Sequence, residues 1–193
     1  EELVRRAVDL GYSALSITDE CSLAGVVRAH VAAKDAGLRL IIGSEVTLED
    51  GPRLVLLATN REGYGRLSAL ITLGRRRGAK GSYSLACADL DAGLPGCLAL
   101  LCPDEPVDED RVLDQAVWLA RRFPGRAWIA AELLCGADDR RTLRVLGDIS
   151  RRSGLPLVAA GNVHMHVRSR RRLQDVLTAT RLRLPLAQCG RLL

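Results

Sequence analysis

The chain is poor in several features that would assign it to a familiar class. Only 3% of its 193 residues are aromatic, so a platform that stacks single-stranded bases is not expected. Its apolar runs are short, and none approaches the roughly 18 residues that span a bilayer. The six cysteines include no CxxC pair, which argues against a structural zinc knuckle. We therefore expect a cytoplasmic protein with no membrane partner.

The common nucleotide-binding and hydrolase motifs are also missing. The sequence contains no GxGxxG, no GxxxxGK[ST] and no GxSxG. It is nevertheless 48% hydrophobic and 26% charged, which is the composition of a globular domain with a sizeable core.

Charge is present but unevenly placed. The formal net charge is +5, and nearly all of the basic residues are arginines. Acidic residues outnumber basic ones in the first 60 residues, whereas residues 140–193 are strongly basic. Such asymmetry predicts two differently used surfaces, of which the basic one either contacts phosphate or is only solvated.

Apolar runs alternate with amphipathic segments along the chain, as in repeated β-α units. Strands are predicted at 13–17, 38–42, 53–58, 97–102, 127–131 and 155–160, with a hairpin over 45–58. Near-continuous apolar strands are typical of a parallel sheet that is covered on both faces. The pattern therefore predicts an α/β fold, either a barrel or a doubly wound sheet.

Polar residues follow the predicted strands at the points where the strands end. The residues with carboxylate, amide or imidazole side chains in these segments are Asp19, Glu20, Glu45, Asp104, Glu105, Glu132, Asn162, His164 and His166. Because the carboxyl ends of parallel strands meet at one rim, these groups are expected to gather there as a metal site or its remnant. Any single one of them could instead cap a helix.

The segment after the last predicted strand carries two further signals. His164 and His166 are two residues apart, so in extended backbone they point the same way. Four arginines follow at positions 168, 170, 171 and 172. Arg168, Arg170, Arg171 and Arg172 are candidates for a phosphate or DNA contact at a helix N-terminus, or for a solvated surface.

Several blocks of sequence resemble a known family. They are residues 16–30, 40–45, 53–58, 70–75 and 155–170. Together they resemble the polymerase-and-histidinol-phosphatase (PHP) domain at the start of bacterial C-family DNA polymerases, most of all the error-prone branch. The resemblance implies a distorted (β/α)7 barrel-like domain over residues 1–180. It also implies that its first strand is lacking and that residues 181–193 start the connection to an absent polymerase core.

The resemblance also implies a metal site at the top of the barrel. Its ligand positions fall on Asp19, Glu20, Glu45, Cys102, Asn162 and His164. Where many members have His the chain has Glu20, where they have Asp it has Asn162, and the opening His-x-His pair is absent. A divalent ion, Zn or Mn, is therefore expected to bind weakly and well below one equivalent, and no catalytic residue is assigned.

The resemblance implies that the chain is a scaffold within a DNA-directed DNA polymerase. That parent would be a transferase of DNA replication and repair, and it would perform translesion synthesis after DNA damage. Its partners would be the remainder of the polymerase chain and, through that parent, DNA. Two alternatives stay open: a standalone PHP-type metal-dependent phosphoesterase, and a nucleic-acid-binding module that uses the 168–172 arginines. The isolated chain is expected to be inactive and, with an unpaired strand edge, marginally stable.

Overall fold

A computed structural model describes residues 1–133 and 135–190. The strands in these ranges are β1 (Ala14–Ile17), β2 (Arg39–Thr47), β3 (Arg53–Ala58), β4 (Cys97–Leu101), β5 (Ala127–Glu132) and β6 (Leu157–Ala160). The helices are α1 (Glu2–Asp9), α2 (Val26–Asp35), α3 (Arg61–Arg77), α4 (Glu109–Arg122), α5 (Asp139–Ser153), α6 (Arg171–Leu182) and α7 (Leu186–Cys189). Residues 191–193 of the predicted connecting segment 181–193 lie outside these ranges.

The six strands form one curled sheet in the order β1-β2-β3-β4-β5-β6. The α/β class and the barrel-like architecture predicted from the sequence are confirmed. The predicted hairpin over 45–58 is confirmed, because β3 runs antiparallel to β2. β3 also runs antiparallel to β4, and there the parallel pairing predicted for the rest of the sheet is wrong. Only five residues separate β2 from β3, and a connection this short can join antiparallel strands but not make a parallel crossover.

The reversed direction of β3 changes which of its residues lie at the rim, the edge of the sheet where the other strands end. In β1, β2, β4, β5 and β6 the carboxyl ends point to the same edge of the sheet, because these strands are mutually parallel in direction. In β3 it is the first residue, Arg53, that lies at that edge, paired in register with Thr47 at the end of β2. The rim therefore contains the start of one strand among the ends of five.

The sheet is not buried equally on both faces as the apolar runs predicted. Successive residues of β4 alternate between buried and half-buried, and β3 begins with the same alternation. The main core lies on one face, where α3, α4 and α5 cover the sheet, and the single phenylalanine, Phe123, is fully buried in it. Within the described ranges, no helix is long and apolar enough to cross a membrane.

The region from 75 to 96 connects α3 to β4 and is mostly irregular. The helix α3 continues to Arg77, and a 3-10 turn forms at Cys87–Leu90. Leu85 and Leu90 are fully buried in the main core, so these two leucines fix the segment against the sheet.

The start of α3 packs directly on the backbone of the turn before β4. Asn60 caps the helix by accepting a hydrogen bond from the amide of Gly63 at 2.8 Å. A Cβ atom at Gly63 would overlap the backbone carbonyl of Gly96, whereas one at Gly65 would meet nothing within 4 Å.

We expect Gly63→Ala to lower the free energy of unfolding by about 2 kcal/mol or more, because a backbone group cannot move aside as a side chain does. Gly65→Ala is the matched control in the same helix, and its higher helix propensity should raise stability by roughly 0.5–1 kcal/mol. Urea denaturation followed by circular dichroism measures both. Equal stability of the two variants would contradict the close packing at Gly63.

Candidate functional site

The segment after β1 is held against the end of β2 by backbone and hydroxyl contacts. The buried Ser44 hydroxyl donates to the Asp19 carbonyl at 2.8 Å, and the Glu45 amide donates to the same oxygen at 3.2 Å. Glu20 and Glu45 form a parallel bridge that extends the β1–β2 pairing. Asp19, Glu20 and Glu45 therefore come together at the rim, as the sequence predicted.

The carboxylate of Asp19 nevertheless serves the fold locally. Its Oδ2 accepts a hydrogen bond at 3.3 Å from the amide of Gly25, the residue that caps α2. Ser22, which lies just before α2, does not cap it, because its hydroxyl accepts a hydrogen bond from the amide of Ala24 two residues on. Asp19 therefore contacts the start of α2 without being its cap residue, which is Gly25.

Glu20 is engaged by side chains from distant parts of the chain. Tyr83 donates its hydroxyl proton to Glu20 Oε1 at 3.1 Å, and the same hydroxyl accepts from the Thr47 amide at 2.9 Å. Arg181 Nη1 lies 3.7 Å from Glu20 Oε2. Arg75 donates to the Glu20 carbonyl at 3.0 Å. Glu20, which stands where many PHP domains have a histidine, therefore contacts the side chains of Tyr83, Arg181 and Arg75.

Glu45 lies deeper in the rim and pairs with the arginine that begins β3. Arg53 Nη1 is 3.4 Å from Glu45 Oε2, and the two side chains are only 20% and 22% exposed. Burial raises the pKa of the Glu45 carboxyl, and the nearby carboxylates of Glu20 and Glu132 add to the rise, while Arg53 and His164 oppose it.

Arg53 is not among the site residues that the sequence predicted. Acidic groups lie on several sides of its guanidinium. Burial opposes its charge, yet Glu45, Cys102, Glu132 and Asp104 together raise the pKa of its guanidinium above the ordinary value. Its contacts also include the Pro103 carbonyl at 3.4 Å and Asp104 Oδ1 at 3.9 Å. The predicted 45–58 hairpin could have placed it here, since that hairpin returns the chain to the rim.

Cys102 follows β4 as predicted and is buried. Desolvation raises the pKa of its thiol to about 12; Arg53 opposes this, and the carboxylates of Glu132 and Glu45 reinforce it. In the metal-free chain the sulfur is therefore a protonated thiol at neutral pH, and a metal would have to displace that proton in order to bind it.

The segment after β6 supplies Asn162 and His164. Asn162 has a left-handed backbone, with φ of 44°, and donates its Nδ2 proton to Glu132 Oε2 at 3.4 Å. His164 is exposed and lies near enough to Glu45 to lower the pKa of its carboxyl. Both predicted positions are thus at the same rim as Glu45 and Cys102.

His164 and His166 also share a cleft of about 230 Å³ between the start of the chain and α6. Its lining includes Glu2, His164, His166, Arg170, Leu173 and Leu177. His166 Nδ1 lies 3.5 Å from Glu2 Oε2. Met165 lines the same cleft, so the expectation that the two histidines point the same way stays a prediction.

The four arginines of the 168–172 segment are all exposed, and α6 begins among them at Arg171. Arg170 pairs with Glu2 at 2.9 Å, and Arg171 pairs with Asp175, four residues along the helix, at 3.7 Å. The contact of Arg168, Arg170, Arg171 and Arg172 with phosphate or DNA stays a prediction.

The residues present do not fit a resident metal ion. Over the described part of the chain, no group of three or more His, Cys, Asp or Glu side chains is arranged to hold one. The donors that could contribute are engaged or weak: Asp19 accepts from the Gly25 amide, Glu20 and Glu45 are ion-paired, Cys102 is buried with a raised pKa, and Asn162 carries no charge. The candidate ligands do lie at one rim, but most of them are uncharged or are already paired with other groups of the protein.

Comparison with known proteins gives a consistent picture of what the chain is similar to. Residues 1–97 match the sequence model of the PHP domain. The error-prone DNA polymerase of Aromatoleum aromaticum is 56% identical over 201 aligned positions, which cover 100% of this chain and 18% of that protein. The error-prone DNA polymerase of Methylococcus capsulatus is 54% identical over 98% of this chain and 18% of its own length. The chain thus spans about a fifth of these relatives.

Solved structures with a similar fold are more distant in sequence. A protein from Bifidobacterium adolescentis, described as a metal-dependent phosphoesterase, superposes with a TM-score of 0.60 at 15% identity, over 85% of this chain and 82% of its own. An amidohydrolase from Chromobacterium violaceum, with bound sulfate and no metal, gives a TM-score of 0.54 at 15% identity, over 85% of this chain and 81% of its own. At this identity the likeness concerns the fold alone.

We expect Cys102 to resist alkylation by iodoacetamide at pH 8 while the exposed Cys135 reacts. The reaction requires a thiolate, and a thiol with a raised pKa of about 12 in a buried position supplies almost none. Peptide mass spectrometry after timed labelling measures both sites, and labelling in denaturant, where both cysteines should react, is the control. Equal labelling of Cys102 and Cys135 in the native chain would contradict this description of the rim.

Proposed function

Because the chain belongs to the PHP domain family, we propose that it is the PHP domain of an error-prone DNA polymerase that acts in translesion synthesis and damage-induced mutagenesis. The observation that carries the proposal is identity above 50% over essentially the whole chain with proteins named error-prone DNA polymerase. In this proposal residues 1–180 form the domain, and residues 181–193 begin the connection to the polymerase core.

Within that parent we propose a scaffolding role and no chemistry of its own. The rim side chains that could hold a metal are committed to neighbours, so they are not available to activate water or bind a phosphate ester. The catalytic aspartates of a polymerase palm would lie outside this chain. The DNA polymerase activity, a nucleotidyl transfer, therefore belongs to the parent as a whole.

The remainder of the polymerase chain is the proposed partner, and DNA is reached through that parent. The exposed face of α6 supports an intramolecular contact, since Leu173, Val176 and Leu177 are each half or more exposed. Exposed apolar side chains grouped on one helix are typical of a surface that another domain covers. A cytoplasmic location goes with this proposal.

A metal-dependent phosphoesterase is the second candidate, and the fold shared with the Bifidobacterium adolescentis protein favours it. The two functions differ in a simple assay. A phosphoesterase would hydrolyse p-nitrophenyl phosphate in the presence of Mn²⁺ or Zn²⁺, and it would lose this activity in His164→Ala. A scaffold would show no turnover with either metal.

We expect deletion of the gene that encodes the chain to reduce the frequency of ultraviolet-induced mutation in its bacterium. Complementation with the intact gene should restore the frequency. Because a scaffold acts through its stability, a gene carrying Gly63→Ala should restore it less well than one carrying the control Gly65→Ala. Mutation to rifampicin resistance is the measurement. An unchanged mutation frequency after deletion would contradict the polymerase assignment, and equal complementation by the two variants would contradict the scaffolding role.

A further inference from the structure

The Arg53 guanidinium lies at the centre of the acidic rim because β3 runs opposite to its neighbours. It is 3.4 Å from the Glu45 carboxylate and 3.9 Å from Asp104, and its side chain is only 20% exposed. A guanidinium remains charged at every pH at which the protein is folded. A permanent positive charge therefore occupies the region into which the rim carboxylates point.

Two other carboxylates at the rim, those of Glu20 and Asp104, also have arginine partners. Glu20 lies 3.7 Å from Arg181, and Asp104 lies 3.5 Å from Arg111 as well as close to Arg53. Arg181 and Arg111 are largely exposed, so their pairs are weak, whereas Arg53 is partly buried. Arg53 therefore contributes more than the other arginines to neutralising the negative charge at the rim.

A divalent ion and this guanidinium would compete for the same oxygens. A metal bound by Glu45 would displace Arg53 from its partner and would place two positive charges side by side in a partly desolvated site. The incomplete ligand set is thus one obstacle to metal binding, and the resident arginine is a second and independent one.

We propose that Arg53 is the built-in cation of this rim and that it excludes a divalent metal from the Glu45 carboxylate. This inference rests on the proposed function only in treating the chain as one without metal-dependent hydrolysis. If an incomplete ligand set alone kept the metal out, removal of Arg53 would change nothing. If the arginine is a second obstacle, its removal should strengthen metal binding at Glu45 even though the ligand set stays incomplete.

Metal titration of the 193-residue chain separates these two cases. The probe is Co²⁺, whose visible absorption reports inner-sphere protein ligands, with Zn²⁺ affinity measured by competition with a chromophoric chelator. Arg53→Met should bind Co²⁺ and Zn²⁺ at least about tenfold more tightly than the unaltered chain, because one repelling charge has been removed. Adding Glu45→Gln to Arg53→Met should abolish the gain.

Two control variants test whether charge at this position is the cause. Arg53→Lys keeps the charge and should bind metal no better than the unaltered chain. Arg122→Met removes an arginine of similar exposure, 25%, that pairs with Asp91 at 2.7 Å in another part of the fold, and it should also leave metal binding unchanged. A gain in Arg122→Met equal to that in Arg53→Met would overturn the proposal.

A measurement on the unaltered chain keeps the proposal testable if Arg53→Met does not fold. About 100 μM Zn²⁺ should leave its melting temperature unchanged, since a ligand raises stability only by binding the native state. A zinc-dependent rise in melting temperature, or an Arg53→Met that folds without any gain in affinity, would overturn the inference. Neither result bears on the mutagenesis assay, so failure here is distinguishable from failure of the polymerase assignment.

Discussion

The rim of this domain depends on an ion pair between Arg53 and Glu45 that exists because one strand is reversed. The short connection after β2 forces β3 to run antiparallel, and the first residue of β3 therefore lies among the ends of the other strands. In a sheet of parallel strands only, Arg53 would lie at the opposite edge. One local constraint on the chain thus determines which charges meet at the rim.

This ion pair explains why the rim can keep its acidic side chains without a metal. A partly buried carboxylate is costly unless it is paired, and two or three such groups repel one another. Here the guanidinium and the exposed arginines supply the opposite charge, while Tyr83 and the α2 amide satisfy oxygens of Glu20 and Asp19. The acidic residues then serve to hold loops together, which suits the proposed scaffolding role.

The sequence predicted the parts of this picture that follow from local patterns. The alternation of apolar and amphipathic segments predicted six strands near their observed positions, and the strand-end rule brought Glu45, Asn162 and His164 to one rim. Cys102 was assigned to that rim only by the resemblance to PHP domains. It did not predict the partners of these residues. The bond from Tyr83 to Glu20 joins residues 63 positions apart, and no periodicity in the sequence indicates such a contact.

The role of Arg53 was missed for a related reason. A strand-end rule selects residues that follow strands, and Arg53 precedes one. Only the antiparallel direction of β3 makes the two kinds of position equivalent. The hairpin was visible in the Glu49-Asp50-Gly51-Pro52 turn, so the register of a predicted hairpin is the signal that could have identified this arginine.

The most direct test of this account is a double-mutant cycle between Arg53 and Glu45. Unfolding free energies of the unaltered chain, Glu45→Gln, Arg53→Met and the double variant give the coupling between the two side chains. The account predicts a favourable coupling of about 1 kcal/mol or more, because the pair is partly buried and each partner left alone loses its counter-charge. A coupling near zero would contradict the claim that this ion pair organises the rim.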